Sequence, residues 1–304
     1  MTLLPPLPAR LLQGRGAKLA RVRDAPGLRP GMPDNATLAY NAPVPVTDVP
    51  DNAAIFGFSN RRSSVHAARA MMLAELRLLL AACPPPADVA AYRKAAVDEN
   101  VALKRTAARR LETFLTLQQL YGLSGDVLLF RALRSLWDAD PLAQPLLAVL
   151  CAAARDTVLR ATAKVIHTVA VGETVTPQML SAVVEERFPA QYSPSTVAVI
   201  GRQAASTWQQ AGHLAGRQRK VRAHVQARPT AAAYALLLGY LCGARGEGLF
   251  QTVWASILDG SVATLHEQAV AASQRGWLEY RRSGNVVDIT FRHLLRGCAE
   301  GLPR

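Results

Sequence analysis

Twice in this chain, 64 residues apart, a helix-forming stretch stops at a glycine and gives way to a leucine and a basic turn. Gln210, Gly212, Leu214 and Arg217 in the first copy match Gln274, Gly276, Leu278 and Arg281 in the second. Glycine at such a stop adopts the left-handed conformation that residues with a Cβ disfavour, so the helix ends there. After the second stop, 277–280 and 286–291 are strand-forming and enclose Arg281-Arg282-Ser283-Gly284-Asn285, a hairpin signal. After the first, HLAGRQRKVRAHV fits two short strands around a basic turn. The pattern predicts two tandem winged-helix-like modules, 172–229 and 230–304, each closing on a short β-hairpin wing.

Upstream, Ala and Leu dominate, and both are strong helix formers. Residues 65–82 carry Val65, Ala68, Met72, Leu76, Leu79 and Leu80 at helical spacing and stop at Pro84-Pro85-Pro86. A shorter helix is predicted over 87–100. In the next, Leu103, Leu111, Leu115, Leu117 and Leu120 mark the buried side and Gly122 the cap. Another helix runs to about residue 138, and Pro141 opens an apolar one reaching about residue 171. Residues 56–171 therefore read as a helical bundle. Thr176-Pro177 and Ser193-Pro194 are helix starts, with a hydroxyl cap and proline at the first position. The second opens a helix over 194–212 with Val197, Ile200, Ala204 and Trp208 on its buried side. Ser261 opens a helix through Gln274 in the second module. Residues 1–55 hold nine prolines, and the first 30 contain six basic residues and one acid, Asp24. They read as a basic, Pro-rich arm. The predicted fold class is mainly α: an N-terminal helical bundle followed by tandem winged-helix-like modules.

Charge narrows the function. The net charge is +13, and the sixty residues 187–246 contain no Asp or Glu but eight Arg or Lys. A one-signed stretch on a folded segment suits a polyanion, above all nucleic acid; the alternative is a solvated basic face with no partner. In a helix-turn-helix unit the second helix presents polar side chains to base edges in the major groove. Here those are Ser195, Thr196, Arg202, Gln203 and Ser206. Arg pairs with guanine and Gln with adenine in bidentate fashion, and the helix start favours a phosphate. Arg217, Arg219, Lys220 and Arg222 would follow the backbone or enter the minor groove. The second wing offers Arg281 and Arg282, but its helix carries Glu267, which weakens a DNA role. Lys104, Arg105, Arg109 and Arg110 form a further cluster; four-residue spacing puts Arg105 beside Arg109 on one helix face. That cluster either grips phosphates or is a solvated helix face.

Other classes find little support. Cys83, Cys151, Cys242 and Cys298 are far apart, with no CxxC pair, and read as reduced thiols in a cytoplasm. No metal and no cofactor is predicted. GRGAK at 14–18 lacks P-loop spacing, and the pairs Asp98-Glu99 and Glu185-Glu186 read as surface. No secretory signal is visible, since Pro5, Pro6 and Pro8 break the first apolar stretch. The most apolar runs, 141–154 and 230–244, fall short of the ~20 residues that span a bilayer. The expectation is a non-enzymatic cytoplasmic protein with no membrane partner.

The order of elements resembles the BrxA proteins of BREX phage-defence systems. The likeness lies in NRRSSVHAARAMMLAELRLLL, then ENVALKRTAARRLETFLTLQQL, then YSPSTVAVIGRQAASTWQQAGHLAG, and covers roughly 55–225. The resemblance implies a compact helical protein, likened to the antitermination factor NusB, that binds double-stranded DNA as a bacterial antiviral-defence accessory without known catalysis. Carried over, the contacts would be Lys104, Arg105, Arg109 and Arg110, with Ser195, Thr196 and Arg202. The arm and the added unit from about residue 230 depart from that pattern and leave oligomeric state and partner choice open. Two other readings remain: a scaffold contacting other defence-system proteins, and a winged-helix transcription regulator. A regulator usually works as a dimer, and no dimerisation helix is evident.

Overall fold

Helix starts fall where capping chemistry puts them. Thr106, Asp156, Thr176, Ser193, Thr252 and Ser261 each accept a hydrogen bond from a first-turn N–H. In the computed structural model the described residues are 49–296. Most of the predicted arm, and Cys298, lie outside them. The helices are α1 Leu73–Ala82, α2 Val89–Arg93, α3 Ala107–Tyr121, α4 Leu128–Trp137, α5 Gln144–Arg155 and α6 Thr157–Thr168. They continue with α7 Pro177–Arg187, α8 Pro194–Gln210, α9 Pro229–Leu241, α10 Val253–Ser256 and α11 Val262–Gln274. Two antiparallel hairpins complete the set: β1 Leu214–Ala215 with β2 Val221–Arg222, and β3 Glu279–Ser283 with β4 Val286–Thr290. The described part is thus mainly α with two small hairpins.

The repeated helix stop is a repeated backbone structure. Gly212 and Gly276 have φ of 93° and 75°. Gly212 N donates to Gln209 O and His213 N to Trp208 O; 64 residues on, Gly276 N donates to Ser273 O and Trp277 N to Ala272 O. This is the bond pair that closes a helix on a left-handed residue. Leu214 and Leu278 then both turn into the core.

α5 and α9 form the middle of the body. Leu146 to Ala154 of α5 and almost all of α9 are buried. Both apolar runs are therefore core helices, and no helix among the described residues is long and apolar enough to cross a membrane. One apolar core extends from Val49 to Leu294, with members on both sides of positions 171 and 229, where the sequence predicts module boundaries. Val49 and Ala53 belong to that core, so the last residues of the predicted arm are packed rather than free. Cys83 and Cys151 are buried, and Cys242 partly so.

Three local expectations are corrected. The helix predicted over 65–82 is a short 3-10 turn, Val65–Ala67, then an irregular stretch with Met72 left-handed (φ 56°) before α1. Distant side chains replace the helical bonds: Thr207 Oγ1 takes Met71 N at 3.0 Å, Gln210 Oε1 takes Leu73 N at 3.0 Å, and the Tyr121 hydroxyl donates to Met71 O at 2.5 Å. The helix predicted over 141–171 is two, broken at Asp156, whose carboxylate accepts Val158 N and Leu159 N. In α3 the buried residues are Thr113, Phe114, Leu117, Leu120 and Tyr121. Leu111 and Leu115 face solvent, and Leu103 precedes the helix and is 81% exposed.

Candidate nucleic-acid interface

α8 is an amphipathic helix whose position is set by buried polar bonds. Val197, Ile200, Ala204 and Trp208 are buried as the spacing predicts. Trp208 Nε1 donates to Thr162 Oγ1 on α6 at 2.9 Å. Beside it runs a chain of polar groups that sequence reasoning missed. His66 Nδ1 lies 2.9 Å from Asp156 Oδ2, and His66 Nε2 lies 2.8 Å from Thr207 Oγ1. Ser64 Oγ and Val65 N also donate to the Asp156 carboxylate. Burial pushes that carboxyl up, but the His66 ring and the hydrogen bonds outweigh it and hold Asp156 below its usual range. The Asp-His-Thr order resembles a nucleophile relay. Thr207 is fully buried, however, and its oxygen also takes the Met71 N–H, so the chain fixes α8 against α6. The one sequence hint was an acid inside an apolar run.

Gly201 sets how closely α7 approaches α8. A Cβ there would lie 2.3 Å from Ser181 Oγ and 2.4 Å from Pro177 O. Gly201→Ala is expected to cost about 1–3 kcal/mol through overpacking, read by urea unfolding. A loss of less than about 0.5 kcal/mol would show that α7 shifts without strain.

The open side of α8 carries Ser195 and Arg202, both exposed, with Thr196, Gln203 and Ser206 half-buried. Ser195 and Thr196 have their hydroxyls 3.0 and 2.9 Å from Ser193 Oγ. Arg202 has no side-chain hydrogen bond or ion pair among the described residues. Gln209, at the end of the same side, ties the helix to the hairpin: its amide donates to Gly216 O at 2.9 Å, and Lys220 Nζ donates to its carbonyl. Arg219 Nε donates to Thr174 Oγ1 at 2.8 Å, and Thr174 bridges Val221. Residues 172–175 thus lie alongside β2 as a third extended segment, held by bonds such as Val175 N to Lys220 O at 3.0 Å. Arg217 is exposed at the hairpin tip, without a side-chain partner among the described residues. Partial burial lowers the Lys220 amine below its usual pKa.

Arg222 does not belong with them. It is 4% exposed and ion-paired at 2.6 Å to Asp259 on the loop before α11. Its Nε donates to Ile166 O at 2.7 Å and its Nη1 to Ala223 O. Its side chain faces inward while its neighbours reach solvent, so it clamps the hairpin root to the second helix-hairpin unit. Beside it, His213 is fully buried, with Nε2 2.8 Å from Ile257 O and Nδ1 unpartnered among the described residues. Desolvation, aided by the nearby Arg222 charge, drops its pKa from 6.5 to about 4. Above pH 6.5 the ring is neutral folded or unfolded. Below it the unfolded chain takes up a proton that the folded chain refuses. Folding stability is expected to fall by about 3 kcal/mol between pH 6.5 and pH 4 from this group. His213→Gln, which keeps an N–H for Ile257 O, should flatten that part of a denaturation-versus-pH curve; an equally steep curve would assign the slope elsewhere.

The second basic cluster is dispersed and partly neutralised. Arg105 precedes α3, which begins after the Thr106 cap, so it does not share a helix face with Arg109. Lys104 pairs with Glu75 and Arg109 with Glu112, each at 2.7 Å. Arg110 donates to the Lys104 and Val97 carbonyls, both at 3.4 Å. Hydrogen bonds from Arg69 and Arg109 hold the Glu112 carboxyl below its usual pKa. Arg105 alone stands exposed without a side-chain partner among the described residues.

In the second unit Arg281 and Arg282 are exposed on β3, with Arg281 opposite Asp288 across the hairpin. Shifting α8 by 64 residues sets His266, Glu267 and Val270 of α11 where Arg202, Gln203 and Ser206 stand. His266 is buried against Phe250 and hydrogen-bonded to Tyr280 and Glu247. Glu267 and Val270 are exposed. α11 therefore offers an acid and an apolar group at the positions where α8 offers donors. No protein family, curated protein or solved structure matches the chain.

Proposed function

We propose that this protein binds double-stranded DNA without catalysing a reaction, using α8 and the β1–β2 hairpin of a winged-helix-like unit. The element order supports the reading: α6, the 172–175 segment, α7, α8 and the hairpin follow the succession of a helix-turn-helix with a wing. The observation that carries it is Arg202, Arg217, Arg219 and Lys220 on one helix and the turn bonded to it, with no carboxylate in either. α8 would lie in the major groove with Arg202 and Gln203 toward base edges, and the hairpin would follow the phosphates. A setting in anti-phage defence rests on the BrxA resemblance alone.

The second unit favours protein contact. Val262, Glu267 and Val270 on the open side of α11 suit a partner surface better than a phosphate backbone. The test is fluorescence anisotropy with a ~30-base-pair random duplex and matching single strands across a salt series. Duplex binding whose log K falls steeply with log salt supports the reading. No binding at low salt overturns it and leaves assembly with another protein as the function to pursue.

A further inference from the structure

The open side of α8 has a second neighbour besides the hairpin. The segment 61–73 follows the helix from its first turn to its last. The Tyr192 hydroxyl, one residue before the Ser193 cap, donates to Arg62 O. Further along, Thr207 Oγ1 takes Met71 N and Gln210 Oε1 takes Leu73 N, each at 3.0 Å. Helical spacing places Thr207 and Gln210 on one flank with Thr196 and Gln203, so the segment borders the side that carries Arg202. Arg61 and Arg62 stand where this segment meets the start of α8. Their backbone is pinned: Thr157 Oγ1 donates to Arg61 O at 2.9 Å, and Val65 N donates to the Asp156 carboxylate at 3.1 Å. Both side chains are exposed, with no hydrogen bond or ion pair among the described residues. The local chain adds no acid, since residues 52–74 contain neither Asp nor Glu. Two carboxylates lie near. Asp156 is buried and taken by His66 and Ser64, and Asp51 accepts the Asn60 amide at 3.3 Å.

We propose that Arg61 and Arg62 grip duplex phosphates at the end of α8 opposite the hairpin. The proposal rests on the duplex-binding reading of α8 and deepens it. α8 has 17 residues and is therefore roughly 25 Å long, against a major groove about 12 Å wide. The β1–β2 hairpin is bonded to its last turn through Gln209, and Arg61 and Arg62 adjoin its first. A helix laid across the groove thus carries cations at both ends, where the two phosphate walls stand. Planar guanidinium forks match phosphate oxygens. Because the backbone of 61–65 is already held, only the two side chains lose freedom on binding.

The test is the salt dependence of duplex anisotropy for the full chain and its variants. Arg61→Ala with Arg62→Ala is expected to lower the slope of log K against log salt by about 2. That loss should add to the loss from alanine at Arg217, Arg219 and Lys220. Arg61→Lys with Arg62→Lys keeps both charges and should keep the slope. Arg93→Ala with Lys94→Ala removes two exposed charges elsewhere and should leave the slope unchanged. Urea unfolding checks each fold, and Arg61→Gln with Arg62→Gln stands in if the alanine pair does not fold. A slope as steep as that of the unaltered protein overturns the proposal; the α8–hairpin reading then stands if the hairpin variant flattens the slope. An equal loss in the Arg93 and Lys94 variant overturns it as well, since net charge and not contact would then set the slope. If the unaltered protein binds no duplex at low salt, this proposal and the reading beneath it fall together.

Discussion

Alanine at Arg217, Arg219 and Lys220 together is expected to flatten the salt dependence of duplex binding while leaving the fold intact. Each phosphate contact contributes about 0.9 to the slope of log K against log salt. Removing three would lower the slope by about 2–3. Stability should change little, because Arg217 is exposed without a side-chain partner among the described residues and Arg219 and Lys220 bond neutral oxygens near the surface. Anisotropy titrations at several salt concentrations measure the slope, and urea unfolding checks the fold. An unchanged slope would remove the hairpin from the interface. Arg202→Ala should behave differently: taking a base-edge hydrogen bond away from α8 costs about 1–3 kcal/mol and relaxes preference at one base pair.

Arg222→Ala, two residues along the same basic run, is expected to lower the unfolding free energy by about 3–5 kcal/mol. The reason is the carboxylate left behind. Asp259 is 11% exposed, pairs with Arg222 at 2.6 Å and also accepts Val225 N at 3.1 Å. Without the guanidinium, a buried charge has no counter-ion, and the carbonyl of Ile166 loses its donor. Removing both charges, as Arg222→Met with Asp259→Asn, should restore part of the stability, since a buried pair replaced together costs less than one that is broken. Denaturant unfolding of the two single variants and the double variant decides this. A drop of less than about 1 kcal/mol for Arg222→Ala would mean that the hairpin root is not clamped. Reduced duplex binding by Arg222→Ala would follow from the displaced hairpin rather than from a missing phosphate partner.

The arginines of this one basic run show where sequence reading stops. Helix identity was legible because capping and stopping are local: Thr176-Pro177, Ser193-Pro194, Gly212 and Gly276 act on their own turns. Both hairpins were legible for the same reason, and so was the buried side of α8. The candidate surface was legible in outline from a window without carboxylates. Within that window the sequence does not distinguish Arg217 from Arg222, because both are cations in one basic stretch. The 65–72 segment escaped it too, since the hydroxyl of Thr207 and the amide of Gln210 arrive from more than 130 residues away. The same holds for the Lys104–Arg110 cluster, where Glu75 and Glu112 supply the neutralising charge. Local backbone chemistry, acting over one turn, determined by itself the order of helices and turns, and composition alone set the sign of the charge. Which cations face solvent and which clamp the core depended on partners brought together only by packing, because an ion pair is set by distance in space and not by distance along the chain.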